Sequence, residues 1–524
     1  MSESVRVTPE MLLPLACKIL GRLEPDQSRW MTWLETPELH SPSQADAVVQ
    51  AAARLKQAAA SHEKVIVAGD YDADGILGTA ILTGALRRQG IETGFYIPDR
   101  IREGYGLQEK TVRLAHEKGY SLLVTVDNGV RAEEALACAA NLGMDVIVTD
   151  HHQFETPPQA AWFVHPALME PEFSTLCGAA VACELLRHAG WATDYELLLA
   201  GLASVGDQMA VTGQTRALIF QALEQLKTDC DPHIRLLAQG IPENETDLSF
   251  QVIPKINALG RLSDLANANN AVRFFLTDDF RQISSLAQGI CQINDRRREM
   301  SGRMVQEAQS RVRPGSTVIF LEDPTWHEGI IGLAAGSLCE TTGRPVILAA
   351  RGQSGLKCSM RSPEGVDCMD LLKGFDRFVT LGGHSRAAGF SLDLKDRDDF
   401  EAYLKTVTVP HAQKADPLDV KAADLTVPAI RQLDALRPFG TGFELPELRI
   451  QDPAVAFVRD LSAGRHRRYV LENGLEAMRF NQPDSEKTLS PNQIRWLTGK
   501  PSVNVWMQTA RPQLILSAVG TSQE

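Results

Sequence analysis

The sequence predicts an α/β protein: a parallel-sheet domain joined by a long helix to a second α/β domain, with a small β-barrel after it. Three observations predict this. Short β-branched runs alternate with helical patterns from about residue 60. The alternation restarts after a long charged helical stretch, and about the last hundred residues alternate polar and apolar in strand fashion.

Taken in order, residues 1–60 read as a helical, alanine-rich N-terminal extension, as in SQADAVVQAAARLKQAAA. Residues 61–277 carry the runs KVIVAG, TGFYIP, SLLVTVD and DVIVTD, separated by helical patterns such as ILGTAILTGALRRQG, which closes on Gly90. Strand–helix–strand alternation of this kind builds a parallel sheet. Residues 278–312 form a helical pattern too long and polar for a single core helix, and read as a connector between two lobes. Residues 313–410 hold the second α/β unit, with STVIFLED and GRPVILAA as its strands, and VPHAQKADPLDV reads as a linker. Residues 420–524 form the β-barrel module, with YVLENGLEAMRF and SVNVWMQTARPQLILSAVG.

The bulk properties bound the function. The chain has 524 residues, 44% hydrophobic and 23% charged, an ordinary soluble composition with length for several cores. No window approaches the run of about twenty apolar residues that spans a bilayer. The N-terminus lacks a basic start and a small-residue cleavage site, so a cytoplasmic location is expected. Nine cysteines without a C-x-x-C pair fit a reducing compartment and argue against a disulfide framework or a zinc ribbon. The net charge of −13 disfavours nonspecific nucleic-acid binding, although a local cation cluster can reverse the field inside a cleft.

Four polar clusters carry the chemistry. Asp70, Asp72 and Asp74 follow the first strand run, Asp127 and Asn128 follow LLVTV, and Asp150, His151 and His152 follow VIVT. Asp207 closes a helical pattern in ASVGDQMA. Loops at the carboxyl ends of parallel strands converge on one crevice, so these groups can meet in space. One aspartate at a strand end is commonly a helix N-cap. Several carboxylates in one crevice repel unless cations sit among them, and oxygen ligands with some imidazole suit Mg²⁺ or Mn²⁺. A pair of such ions is what phosphoryl displacement uses.

These stretches resemble the DHH phosphoesterase superfamily, and within it the RecJ-like single-stranded-DNA exonucleases. GDYDADG, VDNGV, TDHH and VGDQMA are similar to its four motifs, while WHEGIIGLAAGSLCETTGRPVILA, KCSMRS and GGHSRAAGF are similar to the substrate domain that accompanies DHH domains. The resemblance implies that Asp70, Asp72, Asp74, Asp127, His151 and Asp207 hold two Mn²⁺ or Mg²⁺ ions. It implies a catalytic group of His152, Asp150 and Asp127, with His152 facing the scissile phosphate and Asp150 orienting the histidines. It also implies 5′→3′ polarity, an OB-like identity for the last module, and action as a monomer with a single-strand-binding protein or a helicase as partner.

On the substrate side, Arg361 and Ser359 are suited to hold a phosphate, because guanidinium makes bidentate bonds to its oxygens. The resemblance assigns them the terminal phosphate. Asn257 and Arg261 are expected to reach the same cleft. Gly382, Gly383 and His384 read either as a plain tight turn with a capping histidine or as a turn whose N–H groups form an anion nest, and the resemblance favours substrate binding by the three. Tyr105 can stack on a base or pack beside its glycines, and Arg100 can touch the backbone. Arg465, Arg467 and Arg468 form a short basic run, read either as a strand-tracking face or as a charged hairpin tip, while Arg296, Arg297 and Arg298 read as a solvated helix face. The expected function is metal-dependent hydrolysis of single-stranded DNA to nucleoside 5′-monophosphates. Two other readings stand beside it: a phosphodiesterase for oligoribonucleotides or cyclic dinucleotides, and a non-catalytic replication or repair scaffold.

Overall fold

The computed structural model describes residues 7–104, 106–313, 315–353, 355–410, 416–507 and 509–521. They divide into two compact units. The larger comprises residues 41–207 and 222–414; the smaller comprises residues up to 40, 208–221 and those from 416 onward.

The larger unit is built first on a sheet of β1 (Lys64–Gly69), β2 (Glu92–Tyr96), β3 (Leu122–Val126), β4 (Asp145–Thr149) and β5 (Trp162–Val164). All neighbours are parallel, in the order β2-β1-β3-β4-β5. β1 and β3 are buried almost throughout, as expected of central strands with both faces covered. Strand order reverses between β1 and β3. Their carboxyl ends therefore open a crevice at that point, and every motif aspartate of the first two clusters lies just beyond one of these two ends.

Helix Phe280–Arg311 runs for 32 residues and buries Ile283, Ala287, Ile290, Asn294, Met304 and Ala308 along one side. It packs on helix Ile253–Arg261 of the first lobe and on helix Ile331–Thr342 of the second. The second sheet comprises β6 (Ile319–Asp323), β7 (Val346–Arg351), β8 (Gly355–Arg361), β9 (Thr380–His384) and β10 (Ala387–Asp393), in the order β6-β7-β8-β10-β9. Only β6 and β7 are parallel; the other neighbours are antiparallel. The glycine-rich stretch expected as a turn is strand β9, which lies at the sheet edge. Gly382 and Gly383 pair with Gly389 and Ala388, and the turn falls one step later, at Ser385 and Arg386.

The smaller unit holds a mixed sheet of β11 (Leu418–Asp419), β12 (Leu448–Gln451), β13 (Val455–Leu461), β14 (His466–Leu471), β15 (Glu476–Arg479), β16 (Trp496–Trp506) and β17 (Thr509–Gly520). Its order is β11-β12-β16-β17-β15-β14-β13. The structure corrects the expectation of one N-terminal extension over residues 1–60. Helix Pro14–Leu23 buries Leu15, Ala16, Ile19 and Leu20 in one core with Leu448, Tyr469, Leu497 and Leu514 of this sheet. Helix Asp46–Ala60 instead buries Val48, Ala51, Leu55 and Ala58 in the larger unit, against helix Gly178–Ala189. Each apolar stripe needs a partner surface, and the two stripes found different ones.

Candidate metal centre

The first cluster is shaped by the turn out of β1. Asp72 is the N-cap of helix Ala73–Arg88: its carboxylate accepts from the N–H groups of Asp74 at 3.0 Å and Gly75 at 3.2 Å, both on Oδ1. Capping and metal binding are therefore compatible, since Oδ2 stays free of the cap. A Cβ on Gly75 would sit 2.5 Å from the Asp70 backbone, so only glycine lets the chain fold back this closely. Asp74 is 1% exposed, and its two oxygens accept from Gly178 N–H at 2.7 Å and Ala179 N–H at 2.8 Å, at the start of helix Gly178–Ala189.

Asp127 leaves β3 in the left-handed region, with φ 60°, a conformation that aspartate tolerates better than most residues. A Cβ on Gly178 would lie 2.6 Å from Asp127 Cβ, so a glycine opposite makes the room. Asn128 donates to the carbonyls of Ala68 at 3.1 Å and Val126 at 2.8 Å, tying the ends of β1 and β3 together. Asp207 caps the C-terminus of helix Asp194–Gly206.

The groups converge. His151 Nε2 lies 3.1 Å from Asp127 Oδ1, 3.5 Å from Asp207 Oδ2 and 3.7 Å from Asp74 Oδ2. Among the described residues, three sets offer ligand atoms within 4.8 Å of one another: Asp70, Asp72 and Asp127; Asp74, His151 and Asp207; and Asp127, His151 and His152. Asp127 and His151 each belong to two sets, and the set with His152 is the one that links the other two. Asp70 Oδ1 and Asp127 Oδ1 are buried and make no hydrogen bond among the described residues, His151 Nε2 being the near neighbour of the latter at 3.1 Å. Buried carboxylate oxygens left bare are costly, and a hard cation satisfies them. The donor set of oxygens with one or two imidazoles thus fits Mg²⁺ or Mn²⁺.

Electrostatics say the same. Burial, then the charge of Asp72, pushes Asp70 up to about 7. Burial, then Asp74 and Asp72, pushes Asp207 up to about 8. Asp72 is raised by burial and Asp74, and Asp127 is raised well above the ordinary range by burial and the four other aspartates. These carboxylates are held together against their own repulsion.

Asp150 supports the histidine pair. It is fully buried; Oδ1 accepts from the N–H groups of His151 and His152 and meets His152 Nδ1 at 2.8 Å, and Oδ2 accepts from Val130 N–H. Burial works to raise its pKa, but the His152 hydrogen bond, the His152 charge and the backbone donors outweigh it and lower it. Burial works to lower the His152 pKa, and Asp150 overrides this, lifting it to about 9. Sequence reasoning missed His165. Its Nδ1 accepts from Ala167 N–H, so its Nε2 donates to the His152 carbonyl at 3.0 Å and fixes the backbone of the pair. A histidine ahead of a proline three residues past an aromatic carried no signal of this.

A cation cluster lies in the same unit. Arg361 Nη1 donates to Ser359 Oγ at 3.0 Å and to the Met360 carbonyl. A Cβ on Gly332, in the first turn of helix Ile331–Thr342, would lie 3.0 Å from both Arg361 Nη2 and Ser359 Oγ, so the start of that helix abuts this pair. Arg261 is pushed down to about 10 by burial, then by Arg100, with Arg361 and Arg297 adding to it; no carboxylate is among its main influences. Arg100 sits over the Tyr71 ring at 4.5 Å. Arg297, expected on a solvated face, is half-buried and donates to Asn294. Its membership of the cluster follows from helix phase, since Arg296 and Arg298 on either side are exposed. Asn257 is used within the fold: its Oδ1 accepts from Ala73 N–H at 2.7 Å, steadying the Asp70–Asp74 loop.

A cavity of about 200 Å³ joins the two lobes' contributions. Asp70, Asp127, Asp150 and His152 line it from the first sheet, and Gly383 and His384 from β9. The anion nest expected at Gly382 and Gly383 is replaced by the free edge of a strand, which presents alternate N–H groups toward its open side. Tyr105 lies outside the described residues. The basic run of the smaller unit is corrected in part. β14 alternates, so Arg467 points inward, donates to the Glu486 carbonyl and pairs with Asp460. Arg468 lies 3.7 Å from Glu476, and Arg465 binds Asn481.

Comparisons with known proteins cover the whole chain. Family models match in order: the DHH family N-terminal domain over residues 64–206, the DHHA1 domain over 315–408 and the RecJ OB domain over 418–518. The single-stranded-DNA-specific exonuclease RecJ of Bacillus subtilis is 30% identical over 558 aligned positions, covering 100% of this chain and 69% of that protein. That of Thermus thermophilus is 33% identical, covering 87% of this chain and 68% of its own. The crystal structure of Thermus thermophilus RecJ with Mn²⁺ superposes with a TM-score of 0.84 at 28% identity, over 98% of this chain and 76% of that one. The same protein with Mg²⁺ gives a TM-score of 0.77 at 26% identity, over 98% of this chain and 75% of that one.

Proposed function

The chain belongs to the RecJ family, and from that premise we propose that it is a single-stranded-DNA-specific exonuclease using two Mn²⁺ or Mg²⁺ ions, working from the 5′ end. The observation that carries this reading is the pair of buried carboxylate oxygens on Asp70 and Asp127 that make no hydrogen bond among the described residues, on side chains that line a cavity completed by β9. Asp70, Asp72, Asp74, Asp127, His151 and Asp207 would hold the ions. Once bound, they supply Lewis-acid stabilisation to the attacking and leaving oxygens of a phosphodiester.

The chain's own residues do the rest. Asp150 commits His152 Nδ1, so Nε2 is the nitrogen left to meet the scissile phosphate. As a cation, His152 neutralises charge that develops there. Arg361, Ser359 and the first turn of helix Ile331–Thr342 hold the 5′-terminal phosphate, with Arg261 and Arg100 supplying further positive charge. His384 and the open edge of β9 steady the strand between that phosphate and the metals. Fixing the terminal phosphate apart from the reacting one measures off a nucleotide, so each cut releases a nucleoside 5′-monophosphate. The OB module supplies further contact to the strand, with Arg465 and Arg468 at its surface. The enzyme acts as a monomer in the cytoplasm, where its cysteines, all free among the described residues, stay reduced. No helix among the described residues is long and apolar enough to cross a membrane. A single-strand-binding protein or a helicase is the partner class that delivers such a substrate.

The test is digestion of 5′- and 3′-labelled single strands, and of duplex and dinucleotide controls, with Mn²⁺, Mg²⁺ or chelator. The reading expects mononucleotides from the 5′ label at the earliest times, no cleavage in chelator and little on duplex. Preferred cleavage of dinucleotides over long strands would overturn it in favour of a small-substrate phosphodiesterase.

A further inference from the structure

β6 is the outer strand of the second sheet, and its free edge floors a cavity of about 790 Å³. The parallel ladder fixes which groups face outward. Ile319 N–H donates to the Pro345 carbonyl toward β7, so Phe320 and Glu322 direct their N–H and C=O groups to the open side. Arg311 Nη2 already donates to one of these, the Glu322 carbonyl, at 2.8 Å. The other outward groups have no backbone partner among the described residues.

The walls are cationic. Arg311 and Arg313 come from the end of the long helix and its following loop, Arg351 from β7, and Arg397 and Lys405 from around helix Arg397–Leu404. Against them stand Glu322 and Glu401 in the lining, with Asp323 and Asp398 touching Arg311 and Arg397 from outside it. Glu322 is shared by Arg351 at 3.4 Å and Arg397 at 3.1 Å, and Glu401 by Arg397 and Lys405. Arg313 has no ion pair among the described residues. Five cations thus meet four anions, an excess of one positive charge in a chain of net charge −13, with Arg313 the unpaired cation among the described residues.

We propose that this groove docks an extended acidic peptide of a partner protein, added as a sixth strand alongside β6 with its carboxylates on Arg313, Arg351 and Lys405. A strand edge offers a row of donors and acceptors at peptide spacing, which a nucleic-acid backbone does not match, and the surrounding cations select acidic side chains. Short edge strands flanked by cations also occur simply to keep copies apart, and the experiment separates the two.

The probe is a fluorescein-labelled peptide alternating Asp and Val, read by anisotropy on the full chain. Its controls are the Asn/Val isostere and the same acidic peptide N-methylated at alternate residues. Saturable binding is expected, weakened at least about tenfold by the isostere, by N-methylation, and by the double variant R351E/K405E. Single-strand digestion by that variant is expected to match the parent enzyme. Absence of saturable binding, equal binding of the isostere, or equal binding of the N-methylated peptide would overturn the proposal. So would a variant that loses single-strand affinity while keeping the peptide, which would make the groove a nucleic-acid path, or one that abolishes a concentration-dependent dimer, which would make it a contact between copies.

Discussion

Asp150 grips His152 twice, accepting from its ring Nδ1 at 2.8 Å and its backbone N–H at 3.1 Å, both on Oδ1. One oxygen therefore sets the ring's rotation, its tautomer and its charge. A carboxylate used this way supports the groups that meet substrate without meeting it, and removing such support commonly costs about 10–100-fold. Asp150→Asn is expected to lower kcat by that order while leaving KM for a single strand near its parent value. A change confined to KM would show that Asp150 serves strand binding instead.

Asp127 belongs to two of the three candidate ligand sets, whereas Asp72 belongs to one and also caps a helix. Their substitutions should therefore differ in kind. Asp127→Asn keeps the shape of the left-handed turn and removes a charge shared by both sets, and is expected to abolish hydrolysis with little change in melting temperature. Asp72→Ala removes a ligand and an N-cap together, with about 1 kcal/mol of stability lost beside the activity. Asp72→Asn retains an Oδ1 acceptor and separates the two effects. Turnover at the parent rate in Asp127→Asn, measured with trace metal removed, would end the shared-ligand reading.

The raised carboxylates give the centre a pH signature. Unfolded aspartates titrate at about 4, whereas Asp70 stands at about 7 and Asp207 at about 8 in the folded protein. Their protonated forms favour the folded state fully below about pH 4, and this contribution is lost as the pH rises through about 7 and then 8. Chelator-treated protein should accordingly lose melting temperature over that window. Mn²⁺ must displace the same protons, so its affinity should climb with pH across it. Calorimetry in two buffers of different ionisation enthalpy reads the proton release directly. An Mn²⁺ affinity independent of pH between about 6 and 8 would contradict it.

The sheet and the centre's aspartates were legible because the signals are local. A β-branched run followed at once by Asp states both a strand and its end, and the strand order then brings Asp70 to Asp127. What stayed hidden depends on distant partners or on side-chain direction. Gly382 and Gly383 look like a turn, but Ala388 and Gly389 pair with them and make a strand. Arg467 looks like its neighbour Arg468 in the sequence, yet strand alternation turns it inward. Arg297 and His165 gave no sign of their roles, because each acts through a group remote in sequence or through a backbone carbonyl.

The N-terminal helix gives a further case with a measurable outcome. Ile19 is fully buried in the core it shares with the C-terminal sheet. Ile19→Ala is expected to cost about 2–5 kcal/mol, and limited proteolysis should then cut among strands β12 to β17 before it reaches the larger unit. Protection unchanged in those strands would mean the helix is not part of their core. The same packing means that truncating the chain near residue 420 strips this helix of its partner, so the strand contact proposed for the OB module is better tested by point substitutions such as Arg468→Glu.

The proposed terminal-phosphate site can be tested by comparing ends. Arg361 is lowered in pKa by burial first, with Arg100 adding to it, and it reaches Ser359 and the first turn of helix Ile331–Thr342. An anion placed there gains a bidentate guanidinium bond and relieves repulsion among Arg100, Arg261 and Arg361. A hydrogen bond to a charged group contributes about 1.5–3 kcal/mol, which corresponds to roughly 10–150-fold in binding. Arg361→Ala should therefore weaken 5′-phosphorylated strands by that factor while 5′-hydroxyl strands change little, and Arg361→Lys should recover only part, because a single ammonium cannot copy the fork. Equal loss on both kinds of end would show that Arg361 supports the fold of the second sheet and not the phosphate.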